Sequence, residues 1–489
     1  MFFENLLEIY QKYKSISAEL VVIFLIFINF IIFFFYKSEN KARIISVVSI
    51  LGLCFAISFL PNNFSDDGIL IFNQMYLINK NNSIIKIIVI FGVVLAHLTI
   101  VLMPKKDNGV HKFSNFELPT LINFSLLGIL IAISSNSFLV LYLSLELQSL
   151  PGYILTAIKR DSSYSLEAGV KYFVLGVLSS AVFLYGISLI YMVFGSVNYE
   201  VIADILMNRG NELSMTALVG IIFIMFGLIF KLASAPLHSW IADVYQAVHS
   251  TVLTFFSIVP KLGVTYVIYV LYHFVFVGKY FSYITTLIGF FAFCSFFVGA
   301  IGAIRQTNFK RLLAYSAIAN SGFLLLNILG DLSYSFIGLV VYSFSYMIAS
   351  YGLISFVMYY WNETNDENNY LISDLSGLAK TRPFLSISVA GLLFSIAGIP
   401  PFIGFFGKLY ILLSSISALH LTLAFCALMT SVISLVYYLG IIKVMYFTER
   451  NQSQLQEINL CRYSNLTVVY AILSILTIFF VNYFVNFMI

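Results

Sequence analysis

Charge is what this chain has least of. Aspartate, glutamate, lysine and arginine together make up 10% of its 489 residues, against about 25% in soluble domains. With 60% hydrophobic residues and a mean hydropathy of +0.96, that scarcity excludes a soluble enzyme and predicts a polytopic membrane protein. No polar stretch is long enough to make a soluble domain of its own. Cysteine is scarce too. Cys54, Cys294, Cys426 and Cys461 show no ligand-like spacing, which argues against zinc, an iron–sulfur cluster or a disulfide framework. Neither GxGxxG nor a GxxxxGK(S/T) loop occurs, so no nucleotide site is expected. The N-terminus carries no cleavable signal or Arg/Ser-rich transit pattern. The net charge of +4 gives no reason to expect a nucleic-acid partner, because in such a chain basic residues matter by their place relative to the membrane. Abundant Phe, Ile, Tyr, Asn and Lys hint at an A+T-rich genome, that of an organelle or a reduced bacterium.

What is present is apolar sequence in long runs. At about 20 apolar residues per span, the expectation is an all-α fold with about fourteen transmembrane helices. The segments are 18–36, 44–60, 84–103, 118–134, 138–158, 166–194, 215–237, 250–276, 281–303, 311–329, 333–360, 384–412, 417–446 and 466–487. Alternate loops collect the basic residues: Lys37, Lys41 and Arg43; Lys105, Lys106 and Lys112; Lys159 and Arg160; Arg305, Lys310 and Arg311; Lys380 and Arg382; Lys443, Arg450 and Arg462. The other loops hold Lys80, Lys86, Arg209 and Lys279, and Lys12 and Lys14 dissent mildly. By the positive-inside rule both termini face outward, to the periplasm or intermembrane space.

On this layout few charges fall clearly inside spans, away from their ends. They are Glu146, Lys231, Lys261 and Lys408, with Lys171 near an inner helix end. An ammonium at the centre of a membrane helix costs roughly 2.5–3.5 kcal/mol even on lenient scales. Two groups of five helices, the fourth to eighth and ninth to thirteenth spans, each carry a lysine and proline on their fourth helix. These are Lys231 with Pro236, and Lys408 with Pro400 and Pro401. Matched breaks in two halves of opposite orientation point to a transport site built from inverted repeats. The expected division is therefore 1–117 as an N-terminal three-helix bundle, 118–276 and 281–446 as the repeats, and 447–489 as a C-terminal helix.

Each group also has a plainer reading. Glu146, five residues before Pro151, is either a neutral hydrogen-bonded glutamic acid or a proton site whose charge depends on Lys231. Lys231 and Lys408 lie near span ends and can snorkel, but a proline opens the helix beside each of them, and broken helices are tolerated only where buried or facing a wet cavity. Lys261, after Pro260, is a relay group or half of a structural ion pair. Desolvation favours an uncharged lysine, so such a set can exchange protons in series. His238 and His249 flank the turn between the lysine helices and are candidate water-path residues. His97 reads as a satisfied core histidine, His273 and His420 as interfacial. Asp243 reads as a cap or loop partner, and the acidic run 362–369 as a solvated loop or a subunit contact.

Several stretches resemble the chain 2 (bacterial subunit N) family of NADH–quinone oxidoreductase, respiratory complex I: ELQSLPGYILTA, EAGVKYFVLGVLSSAVFLYG, FKLASAPLHSWIADVYQ, KRLLAYSAIANSGF and SIAGIPPFIGFFGKLY. They run from about 138 to 412; the first hundred and last forty residues match only in hydropathy. The resemblance implies an antiporter-like membrane-arm subunit with fourteen helices and two inverted repeats. In it Glu146 and Lys231 form a coupled pair, Lys261 is a central relay group and Lys408 acts on the second broken helix. It implies that NADH, FMN, iron–sulfur clusters and ubiquinone belong to other subunits, and that this chain binds no cofactor. The partners it implies are other membrane-arm chains, including an adjacent antiporter-like chain and a small 4L/K-type subunit, with membrane lipids around them. It suggests the mitochondrial inner membrane or a bacterial plasma membrane. One departure stands out: the family's Pro-x-Pro turn is replaced by Ala247-Val248-His249-Ser250-Thr251, leaving the start of the eighth helix open. Two alternatives remain at this point, a subunit of an Mrp-type cation/proton antiporter and a scaffold with remnant charges. The expected end after the fourteenth span, without a long lateral helix, speaks against the larger antiporter-like chains.

Overall fold

The computed structural model describes residues 16–36, 40–60, 68–102, 117–160, 162–208, 214–362, 370–449, 462–479 and 481. Lys12, Lys14, Lys37, Lys105, Lys106, Lys112, Arg209, Arg450, Cys461 and the run 363–369 lie outside them. Among the described residues nine helices are long and apolar enough to cross a membrane, and shorter apolar helices accompany them.

In chain order the main helices are α1 (Ser17–Phe35), α2 (Lys41–Phe59), α3 (Lys80–Val101), α4 (Glu117–Ile133), α5 (Phe138–Thr156), α6 (Ser163–Phe194), α7 (Tyr199–Asn208), α8 (Met215–Lys231), α9 (Ile241–Ala247) and α10 (Ser250–Val270). They continue with α11 (Phe281–Ile304), α12 (Phe309–Ile328), α13 (Leu332–Asn362), α14 (Pro383–Ala397), α15 (Ile403–Ser417), α16 (Leu421–Phe447) and α17 (Arg462–Leu476). Hydropathy runs place most ends within a few residues. Two expected spans differ. The 215–237 run stops being helical at Lys231, and the 384–412 run divides into α14 and α15. Local chemistry sets several starts: Asn79 and Asn308 each accept a backbone N–H at the head of α3 and α12, the usual N-cap device.

Among the described residues one hairpin breaks the all-helical pattern. Ile69–Ile71 (β1) and Tyr76–Ile78 (β2) form an antiparallel hairpin. Leu77 N–H donates to the Ser134 carbonyl at 2.8 Å, and Asn136 N–H to the Met75 carbonyl at 2.9 Å, so the hairpin is stitched to the turn between α4 and α5.

The chain divides into two compact units. The first comprises Met1–Ile158, Phe173–Leu228 and Val259–Phe281. Within it α4 lies tight on α5, because Gly128 brings its Cα against the backbone at Ser144 and Gln148; a Cβ there would stand 2.6 Å from the Gln148 nitrogen. This close approach fixes the helix that carries Glu146. The second unit comprises Lys159–Tyr172, Ile229–Ile258 and Ser282–Ile489. Its centre is α13, buried almost throughout, with α14, α15 and α17 packed on it.

Candidate functional site

The first unit holds Glu146 and Lys261, the second Lys231 and Lys408. Glu146 stands in mid-α5, half-buried, and its Oε1 accepts a hydrogen bond from Ser180 Oγ on α6. α5 runs on through Pro151 without a break. Lys261 is buried in α10 directly after Pro260, again inside continuous helix. Proline there has no N–H for the carbonyl of Phe256, and the Tyr245 hydroxyl donates to that carbonyl at 3.5 Å.

Lys231 is the last residue of α8. The chain then turns sharply: Ala233 takes a left-handed conformation (φ 56°), its N–H returns to the Phe230 carbonyl, and Ala235 N–H donates to Ser295 Oγ at 2.9 Å. Ser234 Oγ bonds Ser321 Oγ at 3.0 Å. Ser295 of α11 thus takes a backbone N–H that the break leaves without a helical partner, and Ser321 of α12 holds the neighbouring side chain, as non-helical backbone within a membrane protein requires. Pro236 and His238 lie in the turns that follow, and α9 then α10 resume the path.

Lys408 is not at an outer helix end. It is buried on α15, five residues past the start of that helix, and its Nζ donates to the Ala397 carbonyl at 2.8 Å. That carbonyl belongs to the last turn of α14, where a cation also meets the negative end of the helix dipole. Gly398 (φ 87°) caps α14 through its N–H to Phe394, and Pro400 and Pro401 follow in the gap before α15. The Lys408 ammonium also lies 4.9 Å from the centre of the Phe323 ring.

His249 has a local role. Its carbonyl accepts from the N–H groups of Val252 and Leu253, and its Nδ1 accepts from Thr251 N–H at 3.3 Å. It is therefore the N-cap of α10, which explains how the chain starts this helix without the expected prolines. Capping substitutions cost about 0.5–2 kcal/mol. His249→Ala is expected to lower the thermal unfolding midpoint of the purified assembly by a few degrees, whereas His249→Asn, which can still cap, leaves it near the parent value. His97 is a buried core residue satisfied on one side only: its Nε2 bonds Asn123 at 3.0 Å, and Asn123 bonds Ser49, whereas Nδ1 has no hydrogen-bond partner among the described residues. Asp243 is an ion-pair partner, held by Lys171 at 3.1 Å and Arg311 at 2.9 Å.

Position along the chain hides four further buried charges among the described residues: Lys159, Lys310, Glu19 and Lys86. Lys310, counted with the inner-loop basic residues, is fully buried; its Nζ donates to the Val248 carbonyl at 3.0 Å, beside the α9–α10 break, and stands 4.0 Å over the Tyr370 ring. Glu19 and Lys86 form a buried ion pair inside the first unit. Glu146 is thus not the sole acidic group on a span. Glu19 begins α1 and Lys86 lies a turn into α3, positions that a hydropathy reading assigns to the membrane boundary.

A family model described as NADH:quinone oxidoreductase/Mrp antiporter, transmembrane, matches residues 135–434. NADH-quinone oxidoreductase subunit N of Pelagibacter ubique is 37% identical over 418 residues, 86% of either chain. The subunit of the same name from Parvibaculum lavamentivorans is 33% identical over 92% of this chain and 90% of its own. Among solved structures, a chain of respiratory complex I from Thermus thermophilus superposes with a TM-score of 0.77 at 22% identity, over 96% of this chain and 98% of that one. A chain of the Mrp complex from Dietzia has a TM-score of 0.79 at 17% identity, over 96% and 95%. These structural likenesses speak for the fold; the identities along most of the sequence decide the family. The chain belongs to the subunit N family of NADH-quinone oxidoreductase, within the quinone oxidoreductase/Mrp antiporter membrane superfamily.

Proposed function

We propose that this chain is the antiporter-like membrane subunit through which an NADH:quinone oxidoreductase couples quinone reduction to proton movement, by way of Glu146, Lys231, Lys261 and Lys408. The observation that carries the reading is the pairing of two lysines, half-buried Lys231 and buried Lys408, with broken helices. Lys231 ends α8 at one break, and Lys408 reaches back to the Ala397 carbonyl at the other. Such breaks at membrane depth suit water and a mobile proton. Glu146, bonded to Ser180, supplies an acid on a third helix. The segments 118–276 and 281–446 act as two inverted five-helix repeats that each present one break.

NADH, FMN, the iron–sulfur clusters and ubiquinone reside in partner subunits, and a neighbouring antiporter-like chain and a small 4L/K-type chain flank this one. The relatives named above are bacterial, which favours a plasma membrane over the mitochondrial inner membrane, and the basic-loop pattern puts both termini on the outer side. The Mrp reading has in its favour a family model shared by both groups and a 17%-identical fold match, whereas the relatives at 33–37% identity named above are subunit N chains.

In the purified complex in vesicles, Lys231→Met or Glu146→Gln is expected to lower NADH:quinone turnover and proton uptake together by tenfold or more, about 1.4 kcal/mol of lost coupling. Full turnover in the assembled variants would instead assign the chain a scaffold role.

A further inference from the structure

Glu19, Lys86 and Tyr76 form a cluster in the first unit that includes none of the four residues above. Lys86 Nζ and Tyr76 Oη both donate to Glu19 Oε1, the tyrosine at 2.7 Å, and Lys86 Nζ also reaches Tyr76 Oη at 3.2 Å. Glu19 is 6% exposed, Lys86 1% and Tyr76 6%. The second carboxylate oxygen, Glu19 Oε2, is buried with no hydrogen-bond partner among the described residues. A buried carboxylate oxygen without a donor is an unmet acceptor, which structural ion pairs ordinarily do not leave. Were the cluster only a fastener between α1 and α3, an apolar pair would hold the helices as well.

The cluster is joined to the helix that carries Lys261. One helical turn before Lys86, on the same face of α3, Asn82 accepts a hydrogen bond from Tyr266 Oη of α10. Lys261 and Tyr266 are five residues apart on that helix, roughly 7.5 Å along its axis. Tyr269 stacks on Tyr266 in the next turn. On the side away from Lys261 the cluster ends at the β1–β2 hairpin, which supplies Tyr76 and whose tip, Phe72–Gln74, is exposed. Polar groups therefore run from Tyr266 of α10, through Asn82, to Lys86 and Glu19 beneath an exposed turn, with Lys261 about one and a half turns earlier on the same helix.

We infer that Glu19, held by Lys86 and Tyr76, is a proton-exchanging carboxylate at the outer end of a branch leading from Lys261. Uptake of one proton turns the Glu19 carboxylate into a carboxyl group and leaves Lys86 as an uncompensated ammonium. Release of that proton to the outer aqueous side restores the ion pair. The cluster thus alternates between net charges of zero and +1, and its charge biases Lys261 through the intervening polar groups. The inference rests on the proton-coupling role proposed above.

The test uses the whole complex in vesicles, with NADH:ferricyanide activity as a measure of intact assembly and electron entry. Glu19→Gln is expected to lower coupled NADH:quinone turnover threefold or more with ferricyanide activity unchanged, and Glu19→Asp to restore at least half of it. The double variant Glu19→Gln/Lys86→Met, which removes both charges and keeps the packing, stays as slow as Glu19→Gln. Infrared difference spectra of the parent show a pH-dependent carboxyl C=O band that Glu19→Gln abolishes. Full turnover in Glu19→Gln, or full recovery in the double variant, overturns the inference and makes the cluster a fastener. If the variants do not assemble, an unaltered carboxyl band in the conservative Glu19→Asp complex overturns it, whereas a shifted band supports it. Lys231→Met, run in parallel, separates the two levels: normal turnover in that variant defeats the coupling role itself, while slow Lys231→Met beside normal Glu19→Gln defeats only the outer branch.

Discussion

Lys408→Met leaves the complex assembled and lowers its NADH:quinone turnover tenfold or more. Methionine fills nearly the same volume as lysine in its buried place on α15, so packing around Gly398 and Phe323 changes little. What is lost is the bond to the Ala397 carbonyl, and leaving a buried acceptor unpaired costs about 1–3 kcal/mol. A large membrane complex tolerates that. The loss of a titrating group at the break has no such substitute. Lys408→Arg sharpens the point: it keeps a cation able to bond Ala397, but a guanidinium does not release its proton in proteins. Turnover per assembled complex, measured alongside subunit content, is expected to stay low in the arginine variant as well. Recovery with arginine would reduce Lys408 to a helix cap.

Gly404→Ala produces the largest effect on assembly. The first turn of α15 passes so close to the end of α14 that a Cβ on Gly404 would stand 1.8 Å from the Ser395 carbonyl oxygen and 2.7 Å from its carbon. Both are backbone atoms, so no side-chain rotation relieves the clash. Overpacking in a tight interior typically costs 1–3 kcal/mol, occasionally more, and here two half-helices must separate. The amount of this chain recovered in the intact complex is expected to fall several-fold, since a few kcal/mol of destabilisation is enough to change abundance on that scale. Gly440→Ala, where no atom lies within 4 Å of the added Cβ, serves as the control and leaves assembly unchanged.

Much of this was legible before any coordinates. Apolar runs placed the helices because a bilayer demands them, and Pro236 and Pro400–Pro401 announced the breaks because proline cannot complete a helical ladder. The limits have physical causes too. Pro151 and Pro260 look like breaks in sequence, yet α5 and α10 continue through them; in α10 the Tyr245 hydroxyl meets the carbonyl that Pro260 leaves free. No local pattern announces a partner from another helix. Lys310 reads as a loop cation beside Arg311, but only Arg311 is partly exposed, paired with Asp243, whereas Lys310 turns inward over Tyr370. The pairing of Glu19 with Lys86 spans 67 residues, beyond the reach of any spacing rule. His249 hides its capping role for another reason: histidine is not among the residue types preferred at helix starts.

The divided helix has a bearing on how the chain enters the bilayer. α14 and α15 are 15 residues each, so either alone reaches about 22 Å, short of a hydrocarbon core of about 30 Å. Neither piece can be threaded across as an independent span, and the carbonyls freed between them would meet lipid if the pair arrived first. Biogenesis must therefore follow an order in which α13, on which both pieces pack, is already in place to receive them.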